Sequence, residues 1–395
     1  MKFSLVTCAL GFTASAALMA GCSSSGGSSF GTASGVTPGG FQSLRTVSIN
    51  GLLITAAHPN LGMRTHVAPV TPDKHHEKKG LYQYVSDFYN SELVEFDYPK
   101  GDSSIGEISG LDEPQGECGD PLYGAVKRDF WAVNSGSDDI DEFAVGGTGP
   151  IKILIEPTGE AAGCAMDPST GNLAATILGA GDIVIFTDAS GTGTTVADGL
   201  ASSYFDGYDD KGDLFVDGIT ESDTYGVVEM AAGSSSFKAV TLSNTIEFPG
   251  GMQWDGKYVT LNDQEAHVIY GYACSGTSCK LKRTVSLSGS GDCVQTWIGK
   301  GDVFCPDAGN EGVEVYKYPA GGSPIATLTG PADLPVGIIQ VSNIGSTNLA
   351  TRQNKTHLLA RGLKMTWLRD VRFTGTSARR AERTRSVRPS RSTST

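Results

Sequence analysis

The run Gly163-Cys164-Ala165-Met166-Asp167-Pro168-Ser169-Thr170-Gly171-Asn172-Leu173 decides the architecture of this chain of 395 residues. It reads as the end of one strand, a tight turn rich in Asp, Gly and Asn, and the start of a second strand. Its closing element recurs as Gly80-Leu81-Tyr82, Asp129-Phe130-Trp131, Asn172-Leu173-Ala174, Asp213-Leu214-Phe215, Lys257-Tyr258-Val259 and Asp302-Val303-Phe304. The apolar anchors Leu81, Phe130, Leu173, Leu214, Tyr258 and Val303 lie 49, 43, 41, 44 and 45 residues apart. A period in the low forties holds four short strands with their turns.

Within each unit a second run rich in β-branched and aromatic residues follows, at 93–98, 140–145, 183–187, 227–230, 268–272 and 313–318. A last strand closes most units, as at 151–155, 237–242 and 325–328. The first unit is the exception, because Thr71-Pro72-Asp73-Lys74-His75-His76-Glu77-Lys78-Lys79 is too charged for an inner strand. Its missing strand is found at the far end, where Pro335-Val336-Gly337-Ile338-Ile339-Gln340-Val341-Ser342 matches the pattern of Pro114-Gln115-Gly116-Glu117-Cys118 and Pro249-Gly250-Gly251-Met252. The expected fold is therefore all-β: a six-bladed β-propeller over residues 71–342, closed by its C-terminal strand so that no open sheet edge remains.

Upstream, Lys2 and the apolar residues 3–20 read as a secretory signal occupying residues 1–21. It ends in Leu18-Met19-Ala20-Gly21-Cys22, which resembles the lipobox of bacterial lipoproteins, with Met19 where Leu is usual. That resemblance implies a diacylglycerol on Cys22 and an exported, lipid-anchored protein of the cell envelope or outer membrane. A membrane span is the other reading, but the run is marginal in length and lacks stop-transfer charges. Residues 22–70 are expected to form a flexible linker, most plainly the Ser, Gly and Thr of 23–40.

Charge divides the chain. Residues 1–342 hold 18 basic and 41 acidic side chains, whereas residues 343–395 hold 12 basic and 2 acidic. A body at −23 repels phosphate backbones, so nucleic acid is not an expected partner. The tail uses 10 Arg against 2 Lys, the body 4 Arg against 14 Lys. This reversal reads as a basic, disordered arm or as the product of a shifted reading frame, and carries no functional argument.

Six cysteines remain after Cys8 and Cys22. Cys293 and Cys305 flank the Gly299-Lys300-Gly301 turn, Cys274 and Cys279 flank the hairpin tip Ser275-Gly276-Thr277-Ser278, and Cys118 and Cys164 hold matching places in adjacent units. Three disulfides are expected; a four-cysteine zinc site would need two tight knuckles that these spacings lack.

No Gly-x-Ser-x-Gly elbow, His-Glu-x-x-His or phosphate loop occurs in the body, so no catalytic residue is assigned. The acids Asp206, Asp209, Asp210 and Asp213 could suggest a calcium loop, but the same turn recurs without them and reads as a hairpin. His75 and His76 read as part of a solvated loop. The remaining candidates for ligand contact are Tyr204, Phe205, Asp206, Trp254 and Trp297, with Tyr208 and Met252 beside them, at positions that approach the axis of a propeller. Aromatics that merely fill the wedges between blades are the competing reading.

The runs Gly163 to Leu173, Gly250-Gly251-Met252-Gln253-Trp254-Asp255-Gly256-Lys257-Tyr258 and Tyr318-Pro319-Ala320-Gly321-Gly322-Ser323-Pro324 resemble exported bacterial propellers related to the NHL and YncE-like groups. The resemblance covers residues 80–342 and implies a fold rather than an activity. It implies a cell-envelope propeller whose relatives bind proteins, sugars or small molecules. The absence of a catalytic constellation points to a binding or scaffold module for a protein or glycan ligand of the envelope, expected to be monomeric and without cofactor. The alternative is an enzyme like the propeller lactonases or streptogramin lyases, which would need a divalent cation such as calcium, with Asp206 and Glu117 as the first carboxylates to test.

Overall fold

The computed structural model describes residues 80–343, apart from 121–123, 128, 157, 300, 331 and 332, and the backbone of two strands nearer the N-terminus. Those two, Leu44–Ile49 and Leu52–Ala57, pair antiparallel within the segment expected to be linker. Cys22, the signal segment, residues 71–79 and the basic tail beyond Asn343 lie outside the described residues. Among the described residues no helix is long and apolar enough to cross a membrane.

The body is a six-bladed β-propeller. From the axis outward, blade 1 is built from Pro335–Ser342, Leu81–Asp87, Glu92–Phe96 and Ser104–Ser109. Blade 2 is Pro114–Cys118, Asp129–Asn134, Asp139–Ala144 and Lys152–Ile155; blade 3 is Ala161–Met166, Leu173–Ile177, Asp182–Phe186 and Thr194–Ala197. Blade 4 is Ser202–Tyr208, Leu214–Ile219, Tyr225–Met230 and Lys238–Ala239; blade 5 is Pro249–Trp254, Val259–Asp263, Val268–Ser275 and Ser278–Ser286. Blade 6 is Trp297–Ile298, Asp302–Asp307, Gly312–Lys317 and Ala326–Leu328. The anchors therefore open the second strands, and the closing strand pairs with the first anchored one from Pro335↔Asp87 to Ser342↔Leu81.

The last strand expected at 237–242 is divided. Val240 N–H still donates to Val227, but the next amide, Thr241, donates to Thr277 of the long blade 5 hairpin. Thr241–Leu242 then pairs parallel with Ser278 and Cys279, because that hairpin projects an open edge toward it.

The apolar core lies in wedges between blades. Tyr84 of blade 1 stacks on Phe130 of blade 2 at 4.4 Å, which in turn stacks on Phe143 at 5.6 Å. Further buried clusters join blades 2 and 3 through Val133 and Ala175, blades 3 and 4 through Ala174 and Val216, and blades 4 and 5 through Phe215 and Leu261. Ile269 and Tyr316 belong to the cluster joining blades 5 and 6. Each wedge holds side chains of two neighbours, so no blade buries its faces alone.

Buried side chains at the ends of the second strands tie each sheet to its incoming chain. Asp87, Asp263 and Asp307 accept backbone N–H bonds both from the turn that follows and from the segment entering the same blade. Asn134 does the same with its amide, accepting from Asp112 N–H at 2.6 Å and donating to Asp139. A buried acid is acceptable here because several N–H groups replace its lost water.

The inner strands of blades 1 to 5 each carry a β-bulge against the second strand, before Gly337, Glu117, Cys164, Asp206 and Met252 respectively. A bulge bends a strand and re-aims the side chain after it. Gly116 lets the inner strands of blades 2 and 3 meet closely, for a Cβ there would stand 2.8 Å from the Ala162 carbonyl oxygen.

Three disulfides brace the ring: Cys118–Cys164 between the inner strands of blades 2 and 3, Cys274–Cys279 at the blade 5 hairpin tip, and Cys293–Cys305 in blade 6. Cys293 lies opposite Asp307 rather than Cys305, so its bridge runs diagonally across the ladder. Cys118 is the last residue of its strand and Cys164 follows a bulge, so this pair sits toward the ends of the strands rather than at their starts.

Candidate functional site

The four side chains that follow the bulges of blades 2 to 5, Glu117, Cys164, Asp206 and Met252, line one small cavity on the propeller axis. Tyr208, Trp254 and Trp297 complete its wall at the ends where the inner strands finish. The space open to the centre of a water molecule is only about 30 Å³, enough for about two waters or an ion. A ligand larger than this extends beyond the cavity onto its rim.

The candidates from the sequence separate into two groups. Asp206, Trp254 and Trp297 meet at the cavity, whereas Tyr204 and Phe205 are the two bulge residues of blade 4 and are absent from its wall. Tyr204 packs toward Phe248 with ring centres 6.2 Å apart, and burial pushes its phenol up to about 12. Phe205 N–H donates to Asp217 at 3.0 Å and its ring lies against Gly163 of blade 3. Trp297 is itself only 5% exposed, and its indole N–H donates to the Gly124 carbonyl at 3.0 Å. Trp254 is half-buried and is the aromatic side chain of the wall most open to solvent.

The cavity is acidic and carries no basic side chain in its wall. Glu117 Oε1 accepts from the Ser86 hydroxyl at 2.7 Å, while Glu117 Oε2 and both oxygens of Asp206 have no hydrogen-bond partner. Burial holds both carboxyls well above the usual carboxylate range, with the Ser86 bond opposing it at Glu117. Behind Asp206, Asp217 Oδ2 and both oxygens of Glu156 are also buried without a partner. Burial raises these two as well, and the nearby charge of Asp206 adds to each.

Asp217 and Glu156 escaped the sequence reading because Asp217 resembles the solvated acids of the preceding turn. In the structure Asp209 performs the turn's work, accepting from Lys211 N–H at 2.8 Å and Asp213 N–H at 3.0 Å. Asp206 and Asp217 instead lie on strands and point inward. Equivalent turns are capped by Asp167 and Asp255.

For metal ligation, Cys293, Cys305 and Asp307 bring three ligand atoms within 4.8 Å of one another, but the two sulfurs are bonded to each other and Asp307 is occupied by N–H donors. Among the described residues no other trio of His, Cys, Asp or Glu side chains converges so closely. His267, the one described histidine, sits in the turn of blade 5 with its Nδ1 3.3 Å from the Ser290 hydroxyl.

No family model matches the sequence, and no curated protein does. Solved structures do match the fold. A chain in the crystal structure of a nidogen/laminin complex superposes with a TM-score of 0.53 at 14% identity, covering 66% of this chain and 98% of that one. A protein of unknown function from Bacteroides caccae superposes with a TM-score of 0.51, also at 14% identity, covering 66% and 99%. At these identities the likeness extends to the propeller fold alone.

Proposed function

We propose that this protein is a cell-envelope propeller, held by a lipid on Cys22, that binds a protein or glycan ligand on the rim around its axis. The observation that carries the reading is the shape of the site: half-buried Trp254 lines a small axial cavity with room for about two waters. Recognition by such a site is confined to its surface, where a rigid aromatic side chain flanked by Tyr208 and Met252 supplies contact area at low entropic cost. The three disulfides are compatible with an exported, oxidising location. One fold neighbour comes from a complex of two proteins, nidogen and laminin, which puts protein recognition first among the classes to test. Kinship with the NHL and YncE-like propellers belongs to the same proposal.

The test is thermal unfolding and direct binding of the full chain with envelope proteins, cell-wall fragments and a glycan panel, each compared with Trp254→Ala. A ligand at a hundred times its dissociation constant adds about 2.7 kcal/mol, which raises the midpoint by several degrees. The expected result is a rise that Trp254→Ala abolishes while leaving the unliganded midpoint nearly unchanged. Specific turnover of a substrate by the purified chain would overturn the reading in favour of an enzyme.

A further inference from the structure

Blade 4 differs from the other five at its outer edge. In the others the fourth strand reaches the first or second residue of the third, as in Glu92↔Ser109, Asp139↔Ile155, Asp182↔Ala197, Val268↔Ser286 and Val313↔Leu328. In blade 4 the ladder stops at Val228↔Ala239, because Thr241–Leu242 leaves to pair with the blade 5 hairpin. Thr224 C=O accepts from Thr220 N–H on the side of the second strand, and Val227 C=O accepts from Val240 N–H on the outer side. Strand alternation therefore aims the N–H and C=O of Tyr225 outward, and among the described residues no strand lies along them. Beside this edge runs a groove lined by Leu200, Glu221, Ser222, Tyr225, Val227 and Val240. It offers about 520 Å³ to the centre of a water molecule, against about 30 Å³ at the axis, so it has room for side chains.

The groove opens at the end of the ring where the inner strands begin, opposite Trp254. Charge there is nearly of one sign. The described lysines and arginines all lie toward the other end, at strand termini or turns such as Lys100, Lys152, Lys211, Lys257 and Lys317. The end that holds the groove exposes Glu221 and Asp223 in the blade 4 turn, with further acids in the turns at Asp138, Glu265 and Glu311. His267 is its one described basic side chain.

We propose that this edge is a docking site for an extended segment of a partner protein, apolar at alternate positions and flanked by lysine or arginine, which adds to blade 4 beside Tyr225. Backbone groups on an uncovered strand edge recognise another strand, and its alternate side chains enter the groove. The basic flanks meet Glu221 and Asp223, and the cation-free end steers such a segment toward them. This site is separate from the rim around Trp254, and neither depends on the other.

The experiment titrates the full chain, at low ionic strength, into short fluorescent peptides of alternating Val and Thr and reads polarisation. One peptide is flanked by Lys, a second by Glu, and a third is the Lys-flanked peptide N-methylated at alternate residues. The expected result is saturable binding of the first, weaker by at least about tenfold for the other two, with slower hydrogen exchange at the Tyr225 and Val227 amides in the complex. Tyr225→Pro removes an N–H from the edge at the first residue of a strand, where proline is tolerated, and should weaken binding at least about tenfold. Glu221→Lys reverses an exposed charge at the groove and should weaken it about fivefold. Asp210→Asn, on the exposed turn at the other end of blade 4, should leave it unchanged. Near-UV circular dichroism reports whether each variant is folded, and Glu221→Lys decides the matter alone if Tyr225→Pro is not. No saturable binding, equal affinity for the Glu-flanked or N-methylated peptide, or parent affinity in a folded Tyr225→Pro or Glu221→Lys chain would overturn the proposal.

Discussion

Gln295 holds Glu117 by both ends of its side-chain amide: Oε1 accepts from Glu117 N–H at 2.8 Å and Nε2 donates to the Glu117 carbonyl at 2.9 Å. The two residues are 178 positions apart and belong to blades 6 and 2, while Gln295 N–H donates to Val336 of blade 1 at 3.0 Å. One side chain therefore links three blades at the closure of the ring. Gln295→Ala leaves a buried N–H and C=O without partners, and the expected loss is about 1 to 3 kcal/mol. Urea unfolding measures it, and an unchanged midpoint would show that water replaces the amide.

The carboxylate of Asp307 accepts from four backbone N–H groups, those of Gly291, Asp292, Gly309 and Asn310, at 2.6 to 3.0 Å. Charge-assisted bonds of this kind are the strong ones. Asp307→Ala should cost about 3 kcal/mol or more, whereas Asp302→Ala, which removes an exposed pair with Lys317, should cost less than about 1 kcal/mol. Equal losses in the two variants would remove Asp307 from the set of structural ties.

These ties show how far the sequence could be read. The blades were legible because an apolar anchor recurs at the opening of each second strand, and those strands are buried along most of their length. Closure by Pro335–Ser342 was legible because its proline and glycine spacing repeats that of other inner strands. An acid or amide four to six residues beyond the anchor, as at Asp87, Asn134, Asp263 and Asp307, was also present in four of six units and would have located the ties. The cavity was not legible as a whole. Alternation assigns a side chain to a face of its blade, but a bulge resets that alternation, and only pairing reveals that Asp206 follows one. The grip of Gln295 on Glu117 has no local signature at all.

Gly337 sits where the closing strand crosses nearest to blade 2. A Cβ at this position would lie 2.0 Å from the Gln115 carbonyl oxygen and 2.3 Å from Glu117 Oε2. The first of these is backbone in a paired strand and cannot turn aside. Gly337→Ala should therefore push the closing strand outward and lower stability by about 1 to 3 kcal/mol. Hydrogen exchange at Ile338, Ile339 and Val341 should lose protection before the rest of the ring. Uniform loss of protection across all blades would mean that closure is not a separable unit.

Asp206 gives the fold a pH dependence whose sign can be stated. Burial raises its carboxyl well above the usual range, so between the unfolded and the folded pKa the folded chain holds a proton that the unfolded chain has released. The stability tied to that proton is fully present below the ordinary carboxyl pKa of about 4 and is lost as pH rises through the higher folded value. Glu117, Asp217 and Glu156 shift in the same direction and act with the same sign. In chelator, the urea midpoint of the parent should therefore fall between mildly acidic and neutral pH by more than that of Asp206→Asn, whose amide is neutral throughout. The difference between the two slopes isolates Asp206 from the exposed acids, which contribute equally to both chains. Parallel slopes would mean that Asp206 is ionised in the folded protein without a proton or an added cation. Its charge would then have to be balanced by water reaching the axis.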